Sequence, residues 1–182
     1  RFDIFIDVNA EDLSLFHVQT TLTTFDDIAL THWPRDLFML GPRRDPNAVD
    51  GVVHAAQRGI NAGVIFASVG PTFGSLLYLQ NFSSTQPYYQ QVQKTPDNAV
   101  GGQWPELGYS APTDINQPLV RGQTYVLWDS FIVIDPVIES DASSICQQFL
   151  RLLSPIHLCI DKKTHDLYDW QDRAKRTLQS LR

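Results

Sequence analysis

The segment VGGQWPELGYSAP, from Val100 to Pro112, carries the side chains best suited to binding chemistry in this chain. Its paired glycines and its proline disfavour both helix and central strand, so it is predicted to be a loop. On that loop, Trp104 offers an indole, Glu106 a carboxylate, and Tyr109 a phenol that looks exposed. Aromatic rings on a loop either fill a local pocket of the core or stack on a flat ligand such as a sugar, and packing is the commoner use.

A second candidate segment, THWPRDLFML, brings Trp33 and Arg35 close together in sequence. The guanidinium beside Asp36 could clamp carbohydrate hydroxyls while the indole supplies a stacking face. The alternative is an edge strand that bulges at Pro34 and carries a surface ion pair contributing about 0–1 kcal/mol. Under the binding interpretation, the two segments together give one set of substrate-binding residues: Trp33, Arg35, Gln103, Trp104, Glu106 and Tyr109.

Familiar catalytic templates are missing from the sequence. It contains no G-x-S-x-G elbow, no phosphate-binding G-x-x-x-x-G-K-[ST] loop, no H-E-x-x-H pair and no C-x-x-C. Two carboxylates about 5–10 Å apart could hydrolyse a glycoside, but 20 acidic residues supply such pairs by chance. His54 and Arg58 are predicted on one face of a strand, with His54 a sheet-face histidine rather than a base. We therefore predict no catalytic residue, no metal site and no cofactor here.

Charge and composition exclude two classes of partner. Lys and Arg total 14 against 20 Asp and Glu, a net charge of −6, and no basic run is longer than two residues. Such a chain does not neutralise a phosphate backbone, so nucleic acid is excluded. No apolar run approaches the roughly 20 residues of a membrane span. Cys146 and Cys159 are predicted to be buried free thiols, and the start without methionine suggests a piece of a longer protein.

Period-two alternation predicts that the first three quarters of the chain is β structure. Short glycine-containing connections favour antiparallel neighbours, because they leave no room for a crossover helix. The stretch from Ser83 to Gln123 loses this periodicity and is predicted to be irregular and functional. The predicted strands lie in RFDIFIDVN, LFHVQTTLTTF, DDIALTHWP, RDLFMLGP, VVHAAQRG, AGVIFASVG, GSLLYLQNF and YVLWDSFIVI.

Helical spacing replaces the alternation after Pro136. DASSICQQFLRLL predicts a helix that Asp141 or Ser140 caps and Pro155 ends. HDLYDWQDRAKRTLQSLR predicts a second helix, with basic residues in its last turns. The predicted architecture is a mainly antiparallel β-sandwich over residues 1–138, followed by a helical linker over residues 139–182 that leads toward a following domain.

Several segments carry a family resemblance: HWPRDLFML, SLLYLQNFSS, GGQWPELGY and YDWQDRAKRTLQSL. Together they resemble the N-terminal β-sandwich (supersandwich) region of multidomain glycoside hydrolases and phosphorylases. The resemblance covers most of the chain in architecture and implies that a following α/α-barrel of the same chain carries the catalytic carboxylates. It also implies that the sandwich is non-catalytic and leans a loop over the barrel mouth. The alternatives are a stand-alone, lectin-like carbohydrate-binding module and a structural or assembly domain.

Replacing Trp104 with alanine separates the two interpretations of the loop. We expect the unfolding free energy to fall by about 3–5 kcal/mol, because a buried aromatic ring leaves a cavity when it is removed. If the indole instead lines a sugar site, the variant melts normally and kcat/KM of the full-length enzyme falls about tenfold to a hundredfold. Normal melting and normal kcat/KM in both Trp104→Ala and Glu106→Gln would exclude the site.

Overall fold

The computed structural model describes residues 1–8, 14–32, 37–95, 106–109, 111–160 and 178–179. These residues are mainly β. The strands are β1 Phe2–Val8, β2 Leu15–Thr23, β3 Leu37–Phe38, β4 Val52–Arg58, β5 Ala62–Ser68, β6 Ser75–Asn81, β7 Glu106–Leu107 and β8 Thr124–Asp135. The helices are α1 Gly70–Phe73, α2 Gln86–Val92 and α3 Ala142–Cys159, with two 3-10 turns at Pro42–Arg44 and Pro46–Ala48.

Six strands form one sheet in the order β1-β2-β8-β6-β5-β4, and every neighbouring pair is antiparallel. The predicted meander is confirmed, because β4, β5 and β6 pair consecutively. Strand β8 lies between β2 and β6, so residues far apart in sequence meet at the centre of the sheet. Strands β3 and β7 form a separate two-stranded ribbon. A mainly antiparallel β fold is thus confirmed, while the packing of two full sheets stays a prediction.

Strand β6 is buried along nearly its whole length because both faces of the sheet are covered. Leu77 and Leu79 belong to the apolar cluster beneath α3, and we call that side the helix face. Leu76 and Tyr78 belong to the larger cluster on the opposite side, which α2 and residues 107–109 and 111–119 cover. We call this opposite side the groove face.

Helix α3 begins where predicted and ends later. The Asp141 carboxylate accepts hydrogen bonds from the Ser143 and Ser144 backbone amides, which caps the first turn. The helix runs through Pro155 to Cys159, so the predicted end at Pro155 is wrong. Ile156 is fully buried against the helix face, and this packing compensates for the hydrogen bond that the proline cannot donate.

Several local predictions of burial and of secondary structure are wrong. The alternation in RFDIFIDVN predicts a strand with one buried face, but all residues of β1 are exposed, so neither face is buried. In residues 26–32, the described part of the strand expected in DDIALTHWP, the structure has one bridge, between Ile28 and Leu119. Helix α2 lies inside the stretch predicted to be irregular. Both cysteines are exposed rather than buried.

Residues 178–179 are helical, and the rest of the predicted second C-terminal helix lies outside the described residues. Among the helices that the structure describes, none combines the length and the apolar character that crossing a bilayer requires.

A polar network joins α3 to the end of β8. The Gln148 side-chain amide donates to Asp135 Oδ2 at 3.0 Å and to the Val137 carbonyl at 2.8 Å. Arg151 also pairs with Asp135. Burial acts to raise the pKa of Asp135, but hydrogen bonds from the Val137 amide, Gln148 and Arg151 outweigh it, and the pKa lies below its usual value.

This network predicts acid lability. Because the folded-state pKa of Asp135 is depressed, the stabilisation is present above the unfolded-state pKa of about 3.9 and is lost as pH falls through the folded-state pKa. Asp135→Asn should lower the unfolding free energy at pH 7 by about 1.5–3 kcal/mol, and this difference should shrink at low pH. Urea unfolding of the parent and of Asp135→Asn from pH 7 down to about pH 2 measures this difference in unfolding free energy.

The control for this experiment is Asp3→Asn, which removes an exposed ion pair with Arg1. An exposed pair of this kind contributes at most about 1 kcal/mol. A difference between Asp135→Asn and the parent that stays constant across the pH range would contradict the account.

Candidate functional site

A groove of about 1080 Å³ opens on the groove face, lined by α2, the β4–β5 turn and residues 111–113. Phe82 and Tyr89 line it and are 4% and 8% exposed, so they form an aromatic floor. Around the floor stand exposed polar side chains, among them Asn61, Gln86, Gln90 and Gln93. The groove therefore combines a buried aromatic base with a rim of side-chain amides.

Residues 111–113 form one wall of this groove, and the neighbouring Tyr109 holds that wall against the sheet. Its ring lies directly on Gly63, where an added Cβ would come within 2.3 Å of the Tyr109 Cε2 atom. Its hydroxyl donates to the Gln57 carbonyl at 2.7 Å and lies 3.1 Å from the Val64 carbonyl. Tyr109 is fully buried, so the expectation that it is exposed is wrong. This environment agrees with the interpretation that the aromatic ring packs in the core.

Two further contacts join this wall to α2 and to Lys94, which lies two residues beyond the end of α2. The Tyr88 hydroxyl donates to the Pro112 carbonyl, and burial raises the pKa of Tyr88 to about 12. Lys94 Nζ donates to the Thr113 carbonyl at 2.9 Å and pairs with Asp114 at 3.1 Å. The Asn116 backbone amide and then Lys94 hold the pKa of Asp114 below its usual value. The groove thus has walls that hydrogen bonds hold in place.

The charge of the groove differs from that of the whole chain. The described lining residues include His32, Arg58 and Lys94 but no Asp or Glu, although the chain carries a net charge of −6. Asp114 compensates the charge of Lys94, whereas Arg58 has no carboxylate within ion-pair distance among the described residues. The site therefore suits a neutral or anionic polar ligand better than a cationic one.

A bulge in β4 places Arg58 in this groove. The register between β4 and β5 shifts between Val53 and Ala55, around His54. As a result, His54 contacts Phe66 and Ser68, with Nε2 2.7 Å from the Ser68 hydroxyl, on the helix face. The prediction that His54 and Arg58 share a face is wrong, because a bulge interrupts strict alternation.

A separate polar cluster lies on the helix face. Asp129 is 4% exposed, and its carboxylate oxygens lie 2.6 Å from His17 Nε2 and 3.0 Å from Asn81 Nδ2. The His17 ring stacks on Phe131 with centroids 4.4 Å apart. The carboxylate orients the imidazole, as in an acid–base pair. No sequence motif indicates that His17 and Asp129 form a pair, because they are 112 residues apart.

Only two residues of the predicted substrate-binding set lie in the described part of the chain. Glu106 is half-buried in β7 opposite Phe38, and Tyr109 is in the core. The predictions for the other four remain untested because they lie outside the described residues: Trp33, Arg35, Gln103 and Trp104.

The sequence patterns did not predict a role for the glutamines of α2 and of its C-cap. Gln86, Gln90 and Gln93 recur at helical spacing, and the buried residues Tyr88 and Val92 alternate with them on the other side of the same segment. That amphipathic period was a usable signal, but Pro87 and the surrounding polar residues concealed it.

Comparisons with known proteins identify no family for this chain. The chain has no significant match among protein-family models, curated proteins or solved structures. Within the described ranges, no three His, Cys, Asp or Glu side chains cluster so as to hold a metal ion.

Gly63→Ala tests the contact that holds the wall. The added methyl group overlaps the Tyr109 ring, so the unfolding free energy should fall by about 1–3 kcal/mol. Combining it with Tyr109→Leu should cost less than the sum of the two single changes, because the smaller side chain vacates the space. Urea unfolding of the four proteins measures this coupling, and strict additivity would contradict the packing described.

Proposed function

We propose that this chain is the non-catalytic N-terminal β-sandwich domain of a carbohydrate-active enzyme, a glycoside hydrolase or phosphorylase, and that its groove binds saccharide. In this proposal a following α-helical domain of the same chain carries the catalytic carboxylates. The observation that carries it is the pairing of an aromatic floor with an amide rim in the groove. The resemblance to supersandwich regions and the antiparallel sheet support the domain assignment.

Saccharides match this lining chemically. Each sugar hydroxyl both donates and accepts hydrogen bonds, and a side-chain amide does the same with its NH2 and carbonyl groups. Gln86 and Gln90 in α2 and Gln93 at its C-cap offer three such amides, and Asn61 offers another from the β4–β5 turn. The C–H faces of a pyranose are apolar and suit the rings of Phe82 and Tyr89. The absence of Asp and Glu from the described lining avoids the desolvation cost of burying a carboxylate under a neutral ligand.

The proposed role in the enzyme is to present this groove beside the catalytic domain. The 111–113 wall follows the VGGQWPELGY segment after one residue, and His32 directly precedes Trp33. Trp33, Arg35, Gln103 and Trp104 therefore stay in the proposal as sugar contacts, because they are close in sequence to residues that line the groove.

Titration calorimetry with neutral oligosaccharides tests the binding. We expect millimolar affinity for at least one sugar class, a binding free energy of about −4 kcal/mol. Gln90→Ala should weaken that affinity about threefold to tenfold, since it removes one hydrogen bond worth about 0.5–1.5 kcal/mol. Its melting temperature should stay unchanged, because Gln90 is exposed.

Gln91→Ala is the matched control on the same helix. Gln91 lies outside the groove, and its amide donates to the Pro118 carbonyl at 2.8 Å. Gln91→Ala should therefore leave the sugar affinity unchanged. Absence of binding to every oligosaccharide tested, or equal losses in the two variants, would refute the proposal.

A further inference from the structure

One cation of the groove has no anionic partner among the described residues. Arg58 lines the groove and is exposed, and no described Asp or Glu lies within ion-pair distance of its guanidinium. Lys94 differs, because its Nζ atom lies 3.1 Å from Asp114 Oδ2. A guanidinium stays protonated at every pH at which proteins fold. The described part of the groove therefore keeps one permanent positive charge that no carboxylate of the chain neutralises.

The strand register fixes the side of the sheet from which Arg58 projects. Arg58 is the last residue of β4 and lies opposite Gly63 of β5. Residues directly opposite one another in an antiparallel pair project from the same face. A Cβ at Gly63 would meet the Tyr109 ring, which packs on the groove face. The side chain of Arg58 therefore leaves the sheet on the groove face, on the same side as that ring.

The turn after Arg58 holds its backbone beside the aromatic floor. The Gly59 amide donates to the Ala62 carbonyl at 2.7 Å, which closes the β4–β5 turn. The Phe82 amide donates to the Asn61 carbonyl at 2.9 Å, which joins the same turn to a residue of the floor. The guanidinium thus extends from a hydrogen-bonded base, and the Asn61 side chain lines the groove close to it in sequence.

An anionic group in this groove meets no like charge from the described lining. That lining contains no Asp or Glu, although the chain has 20 acidic residues and a net charge of −6. At physiological salt the Debye length is about 8 Å, so exposed carboxylates farther away are largely screened. The local charge of Arg58, and not the net charge of the chain, therefore decides which ligands the groove favours.

We propose that the saccharide bound in this groove is acidic, an oligosaccharide that contains a uronate whose carboxylate pairs with Arg58. This inference rests on the proposed function, that the groove binds saccharide. The planar guanidinium presents parallel N–H donors that match the two oxygens of a carboxylate. The neutral hydroxyls of the same oligosaccharide remain for the side-chain amides of Gln86 and Gln90, and its C–H faces for the ring of Phe82.

A carboxylate fits the available charge better than a phosphate ester does. A phosphate monoester carries close to two negative charges and has three strong acceptor oxygens, which is more than one guanidinium neutralises. A uronate carries a single charge on two oxygens. The one unpaired guanidinium of the described groove therefore matches a uronate in both charge and geometry.

Titration calorimetry with matched ligands tests the proposal. The probes are trimers of galacturonic acid and of glucuronic acid, each compared with its own methyl ester, which keeps the sugar and removes the charge. We expect at least one acid to bind about threefold to thirtyfold more tightly than its ester at low salt. About 0.5 M NaCl should reduce this preference and leave the affinity for the ester nearly constant, because salt screens an exposed ion pair.

Arg58→Gln tests the assigned residue. Glutamine keeps hydrogen-bonding groups but has no charge, so the acid and the ester should bind within about twofold of each other. The melting temperature should stay unchanged, because Arg58 is exposed. Arg121→Gln is the matched control, since Arg121 is exposed, lies outside the groove and contributes the same charge to the chain. This control should keep the preference for the acid.

The outcomes separate this inference from the proposed function. If the esters and neutral oligosaccharides bind but neither acid binds more tightly, the inference is overturned and the proposed function stands. Absence of binding by acids, esters and neutral oligosaccharides overturns both. A preference for the acid that survives Arg58→Gln overturns the assignment of Arg58, and tighter binding of a trimer bearing sulfate esters overturns the choice of a carboxylate.

Discussion

The contact between the Tyr109 ring and the bare backbone of Gly63 is the constraint on which the groove face depends. A side chain at position 63 would occupy the space of the ring. The phenol hydroxyl reaches carbonyls of both β4 and β5, so one side chain joins residues 106–109 to two strands. The Tyr88 and Lys94 contacts then join that segment to α2. The geometry of the proposed saccharide site therefore depends on this packing.

Alternation in the sequence predicted β2, β5, β6 and β8 because these strands have the length and β-branched or aromatic content that two-residue periodicity requires. It could not predict that β1 is exposed, since alternation gives the two faces of a strand but not its place in the sheet. It also could not predict the bulge beside His54, which changes the face of Arg58. The groove escaped detection because its parts, α2, the β4–β5 turn and residues 111–113, meet only in three dimensions.

The most direct measurement of the central claim, that the groove binds saccharide, is the shift of side-chain amide signals in ¹H–¹⁵N spectra on adding an oligosaccharide. The account predicts shifts for Asn61, Gln86, Gln90 and Gln93, which line the groove. It predicts constant signals for Gln148, which is a buried residue of α3. Saturable shifts confined to residues outside the groove, or no shift at saccharide concentrations well above about 1 mM, would contradict it.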